Sequence, residues 1–148
     1  MWKELGKLIS APRDVQSLAL LIFLVGIHSL GLGIFIFFFT ELFYQFFFHS
    51  QLENIFFVRQ SGLFLFCLAM FYFSPLPDLK RRHRLVFVII LTKVLAVLFL
   101  VTNASHAPWP PIILLAAAGD GCMALLLTYF YRIARPRLEE HSAAVWSD

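Results

Sequence analysis

A chain of 148 residues has room for one domain. It is 60% hydrophobic and only 14% charged, so no soluble fold of this size could hide its apolar surface, and the composition selects the membrane class. The net charge of +3 is small. Its basic clusters flank apolar runs, which points to topogenic signals and away from nucleic acid as a partner.

Residues 1–16 are polar, with Trp2, Leu5, Leu8 and Ile9 at near-helical spacing. They predict a short interfacial helix over about 2–10, with Trp2 at headgroup level. The apolar run that follows is too long for the core of a secretory signal, and no small-x-small site follows it, so the segment is expected to be retained. The first span is predicted at 17–40, above the roughly 20 residues needed to cross about 30 Å of hydrocarbon. Within it, Ser29 and Gly33 form a small-xxx-small pair suited to close helix approach. His28 is its one ionisable group.

In 41–53, Glu41, Gln45, His49 and Glu53 recur every four residues and make one polar stripe. The pattern predicts an amphipathic helix in the outer interface, or a lipid-facing extension of the first span. Phe35, Phe38, Phe39, Phe43, Phe46 and Phe47 belong to a dense aromatic run there. Such a face serves lipid contact, docking of a neighbouring subunit, or a flat pigment such as a carotenoid or chlorophyll at a shared interface.

The second span is predicted at 54–73, with Arg59 near its outer end. Two prolines then stop the helix, and Lys80, Arg81, Arg82 and Arg84 mark the following loop as cytoplasmic. The third span covers 85–102 and contains Lys93. A turn without Lys, Arg or acid follows at 103–110. The fourth span, 111–131, opens on Pro111, which costs nothing in a first helical turn. It carries Asp120 inside the small-residue run Ala116 to Ala124. It is expected to end at the aromatic belt Tyr129, Phe130 and Tyr131, before Arg132, Arg135 and Arg137. The tail from 138 is expected to be poorly ordered. Cys67 and Cys122 fall within spans, with no CxxC and no metal-ligand spacing, and read as small buried hydrophobes.

Ten of the twelve Lys and Arg residues lie in the N-terminal segment, the 74–84 loop and the C-terminal segment. Four spans with both termini in the cytoplasm satisfy every cluster. The expected fold is therefore an all-α membrane protein, an antiparallel bundle of four transmembrane helices with short interfacial helices. For a prokaryotic chain the expected location is the inner membrane.

Counting from the outer turn, Lys93 and Asp120 lie about 15 Å and about 14 Å deep, near the bilayer midplane, and His28 lies at a similar level. A lone charge there costs at least about 2.5–3.5 kcal/mol on insertion scales, so Lys93 and Asp120 are expected to face the interior and pair. Three roles follow for the set. It fixes helix register; or, with His28, it holds a quinone head group, a lipid head or a proton; or Asp120 pairs instead with Arg59 and leaves Lys93 to a partner protein. No nucleophile elbow, metalloprotease motif, P-loop or paired acids stand in the sequence. The reading is against an enzyme, and against a haem held by this chain alone.

The stretch RQSGLFLFCLAMFYF from Arg59, then a Pro-containing basic loop, a span with a central basic residue and a span with a central acid, resembles the DoxX-like group of small four-helix membrane proteins. The resemblance covers about 57–130 and rests on Arg59, Gly62, Lys93 and Asp120. It implies a four-helix bundle, with some relatives serving as membrane partners of quinone-linked oxidoreductases. It carries over no catalytic residue. The short loops, the lack of enzyme motifs and the aromatic outer face give the functional expectation: a non-catalytic accessory subunit of a larger membrane complex, respiratory or photosynthetic, surrounded by lipid and other integral membrane subunits. The alternative is a quinone- or lipid-binding bundle.

Overall fold

The computed structural model describes residues 11–48, 54–106 and 110–145, and every regular element among them is helical. In order these are α1 (Arg13–Phe38), α2 (Thr40–Phe48), α3 (Ile55–Phe73), a 3-10 turn (Leu76–Asp78), α4 (Leu79–Arg82), α5 (Arg84–Asn103), a second 3-10 turn (Ala104–His106) and α6 (Pro110–Val145). Four helices are long and apolar enough to cross a membrane, at the places where the hydropathy of the sequence puts them. The interfacial segment expected at 2–10, and His49 and Glu53 of the polar stripe, lie outside the described residues.

Local chemistry sets the boundaries. The Asn54 side chain accepts the Phe56 N–H at 3.0 Å and opens α3. Pro75 and Pro77 prevent its continuation. Asp78 accepts the Arg81 N–H at 3.2 Å and starts α4. At the other end, α1 runs into α2 with a bend at one residue, Phe39 (φ −117°, ψ 39°). The Phe39 and Phe43 N–H groups still reach the Phe35 and Phe39 carbonyls at 2.9 and 2.8 Å. Thr40 supplies the cause, since its hydroxyl donates back to the Ile36 carbonyl at 2.7 Å, a bond that bends helices. The described part of the amphipathic stretch therefore continues from α1 across that bend.

α1 packs along α3, α5 along α6, and α1 also along α6. The α1–α3 seam is tight. A Cβ on Gly33 would stand 2.9 Å from the Gly62 carbonyl oxygen and from the Phe66 nitrogen, and one on Gly62 would stand 2.8 Å from the Phe37 nitrogen. Neither helix accepts a side chain there. Further along, Gly26 lies under the Phe73 ring. Of the small residues around Asp120, Ala117 and Ala124 are buried, while a Cβ on Gly119 would meet nothing within 4 Å and one on Gly121 would make only ordinary contact with Val97.

The hydrophobic core gathers toward one end. Val15, Leu18 and Ile22 of α1, Tyr72 of α3, Leu79, Val86 and Ile89 of the α4–α5 region, and Leu127, Ala134 and Leu138 of α6 form one cluster. Leu138 belongs to the segment expected to be poorly ordered, yet it is buried, and the helix runs on to Val145. Along α6, Ala117, Asp120, Ala124, Leu127, Tyr131, Ala134 and Leu138 recur at alternating steps of three and four, a single inward stripe that ignores the change from apolar to basic sequence. Pro136 lies inside the helix on its exposed side.

The cysteines also differ from expectation, since both are exposed. Cys122 stands two residues from the inward position 120, about 200° around the helix. An apolar, small side chain in a membrane span carries no inward preference of its own, because lipid is as apolar as the bundle interior.

Candidate functional site at the Lys93–Asp120 pair

Val86, Ile89 and Lys93 are the buried positions of α5, again three and four apart. Lys93 therefore takes a core position of its helix, as Asp120 does on α6. The inward stripes bring them together, and the Lys93 ammonium donates to Asp120 Oδ1 at 2.6 Å. Lys93 is 6% and Asp120 18% exposed. Each charge removes the reason the other would be expelled from hydrocarbon.

Other groups close around the ammonium. Lys93 Nζ stands 5.8 Å from the centroid of the buried Tyr72 ring, a cation–π contact. The Tyr72 hydroxyl is 3.0 Å from Thr92 Oγ1. Thr92 spends its single proton on the Ile89 carbonyl at 2.8 Å, so Tyr72 is the donor and Thr92 the acceptor. α3, otherwise scarcely in contact with α5, is tied to it at this level by the Tyr72–Thr92 bond and the Lys93 contact. Sequence reasoning missed both Tyr72 and Thr92. The available signals were a phenol ten residues after Gly62 on the seam helix, and a hydroxyl next to the buried lysine.

His28 lies within electrostatic reach of both Lys93 and Asp120. It is exposed and forms no hydrogen bond with a described residue. Arg59 does not join the set. It stands beside the bend in α1, where its Nε donates to Thr40 Oγ1 at 3.4 Å. The pairing of Asp120 with Arg59 is therefore replaced by the pairing with Lys93. Long reach alone does not bring Arg59 to a carboxylate already held by a nearer helix.

The aromatic set divides in two. Phe38, Phe39 and Phe46 are exposed. Phe35, Phe43 and Phe47 are half-buried and stack among themselves, with ring centroids 5.8 Å apart for Phe35–Phe43 and 4.8 Å for Phe43–Phe47. Phe56 and Phe57, at the start of α3, are exposed as well.

At the opposite end, Asp14 of α1 meets Arg137 of α6 at 2.6 Å. Arg84 of α5 lies within electrostatic reach of Tyr131 and Glu139, and Arg135 donates to Glu139 at 2.7 Å. Among the described residues no group of three His, Cys, Asp or Glu side chains is placed to hold a metal ion. No family model, curated protein or solved structure matches the chain.

Proposed function

We propose that this protein is a non-catalytic accessory subunit of a larger integral membrane assembly, placed in the inner membrane if the cell is bacterial. In this reading the four helices form an antiparallel bundle with both termini in the cytoplasm. Two contacts support the antiparallel arrangement: Gly26 lies against Phe73, and Gly33 against Gly62 and Phe66, so chain order rises on α1 as it falls on α3. The Asp14–Arg137 pair and the nearness of Arg84 to Glu139 support a common side for the three basic segments. The positive-inside rule makes that side the cytoplasm.

The observation that carries the proposal is the contrast between the two ends of the bundle. The charged end has a shared core. The other end turns large aromatic rings outward from α1, α2 and α3, with Phe38, Phe46 and Phe57 each about two-thirds exposed. Rings of this size give a neighbouring membrane helix contact area at a cost of only two side-chain torsions each. The charged groups at mid-depth are engaged with one another, which fits a clasp that holds helix register.

Mild extraction from native membranes followed by mass measurement tests the proposal. A stoichiometric second polypeptide should co-purify with the wild-type chain and be lost from the triple variant Phe38→Ala, Phe46→Ala, Phe57→Ala. Purification with no second polypeptide, or retention of that partner by the triple variant, would overturn it.

A further inference from the structure

Among the described residues Lys93 and Asp120 satisfy each other between the helices, and Arg59 donates to Thr40. The imidazole of His28 has no hydrogen-bond partner among them, and it is exposed on the flank of α1. The nearest charges, Lys93 and Asp120, oppose each other and bond to each other. A polar group that faces lipid without a partner is costly, so something outside the chain meets it.

The surrounding surface suits another helix. Gly31, one turn further along the same flank, is exposed and meets nothing within 4 Å. Gly33 serves the seam with α3, whereas a Cβ on Gly31 would meet no described residue. Leu24, one turn before His28, is 53% exposed. The strip Leu24–His28–Gly31 thus places a hydrogen-bonding group beside a point where another backbone can approach closely.

We propose that a second copy of this chain covers this strip, the two α1 helices crossing at His28 and Gly31 about a two-fold axis along the membrane normal. A neutral imidazole carries one donor and one acceptor nitrogen, so His28 is complementary to itself. Rotation about the membrane normal keeps every residue at its own depth, and the two imidazoles therefore meet at one level without any adjustment of the bundle. The interface is isologous and closes at two copies.

The test is the oligomeric state of the purified full-length chain in lipid nanodiscs and in liposomes, by native mass measurement and single-molecule photobleaching. The wild type should be a dimer. His28→Leu should weaken dimerisation at least about tenfold, the order expected for an interhelical hydrogen bond in a membrane. His28→Gln, whose amide is also donor and acceptor, should retain the dimer. Gly31→Leu should abolish it by bulk, and Leu125→Ala, on an exposed face of α6, should leave it unchanged. Helix content of His28→Leu should match the wild type, because His28 makes no hydrogen bond with a described residue. A monomeric wild type, whether bare or carrying a lipid-soluble small molecule, would overturn the proposal, as would a dimer indifferent to both His28→Leu and Gly31→Leu.

Discussion

Asp14 and Arg137 meet at 2.6 Å although 123 positions separate them in the chain. The contact fastens the start of the first long helix to the last, on the side where the loop before α5 also gathers its arginines. Cysteines introduced at Lys80 and Arg137 should label with a membrane-impermeant maleimide from one side only, and a cysteine at Asn103 from the other. Labelling of Lys80→Cys and Arg137→Cys from opposite sides would refute the four-span arrangement.

The Lys93–Asp120 pair should behave as a unit. Replacing either partner alone, as Lys93→Met or Asp120→Leu, leaves an uncompensated charge among packed helices and should cost about 3–5 kcal/mol of stability. The double variant should recover most of that loss, since two apolar side chains of similar volume need no partner. Unfolding in a graded SDS–detergent titration measures all three. Single variants as stable as the wild type would show that the pair contributes nothing to the fold.

Glycines of the α1–α3 seam and Gly31 on the open flank of α1 should respond in opposite senses. Gly33→Ala and Gly62→Ala each press a methyl group against backbone atoms at about van der Waals overlap and should destabilise by about 1–3 kcal/mol. Gly31→Ala has open space within the chain and should leave the unfolding of the bundle unchanged or raise its stability by up to about 1 kcal/mol through helix propensity. Thermal unfolding in a single detergent distinguishes them.

Ser29 is buried in the same helix, and its hydroxyl has no hydrogen-bond partner. It lies between Gly26 and Gly33 on the face toward α3. Ser29→Ala removes an unsatisfied polar atom without adding bulk and should stabilise by roughly 1 kcal/mol or leave stability unchanged. A loss of more than that would mean the hydroxyl is bonded in the membrane-embedded state.

The buried end of α6 makes a further prediction. Leu138 is fully enclosed, so Leu138→Ala should cost about 2–5 kcal/mol. Glu139→Ala, one residue later on the exposed side, should change little, because exposed ion pairs contribute little. Equal effects of the two substitutions in the same titration would remove the case for a packed C-terminal extension.

The sequence made the four spans legible because a stretch of some twenty apolar residues has few other uses. It also placed Lys93 and Asp120 at one depth, since rise per residue is fixed once the outer turn is located. The length of α6 was hidden by composition. Arg132, Arg135 and Arg137 mark the boundary expected of a span, which in composition looks the same as a helix end, whereas the alternating three-and-four stripe through Ala134 and Leu138 continues across it. The Gly33–Gly62 seam needed both helices at once. Gly33 alone does not reveal whether its open side meets α3, lipid or another protein, and Gly31, two residues away, faces open space. Tyr72 escaped notice for a related reason, because an aromatic ring in an apolar span reads as lipid contact until the lysine it covers has been placed.

Helix α6 spans 36 residues, about 54 Å at 1.5 Å per residue, against a hydrocarbon core of about 30 Å. The excess is carried at the end anchored by Ala134, Leu138 and the Asp14 pair, so it stands as a strut fixed to the bundle. A label placed at Glu139, on the exposed side beside these anchors, would turn with the bundle rather than swing on a tether. Its polarised fluorescence in oriented bilayers would then report the tilt of the four helices directly.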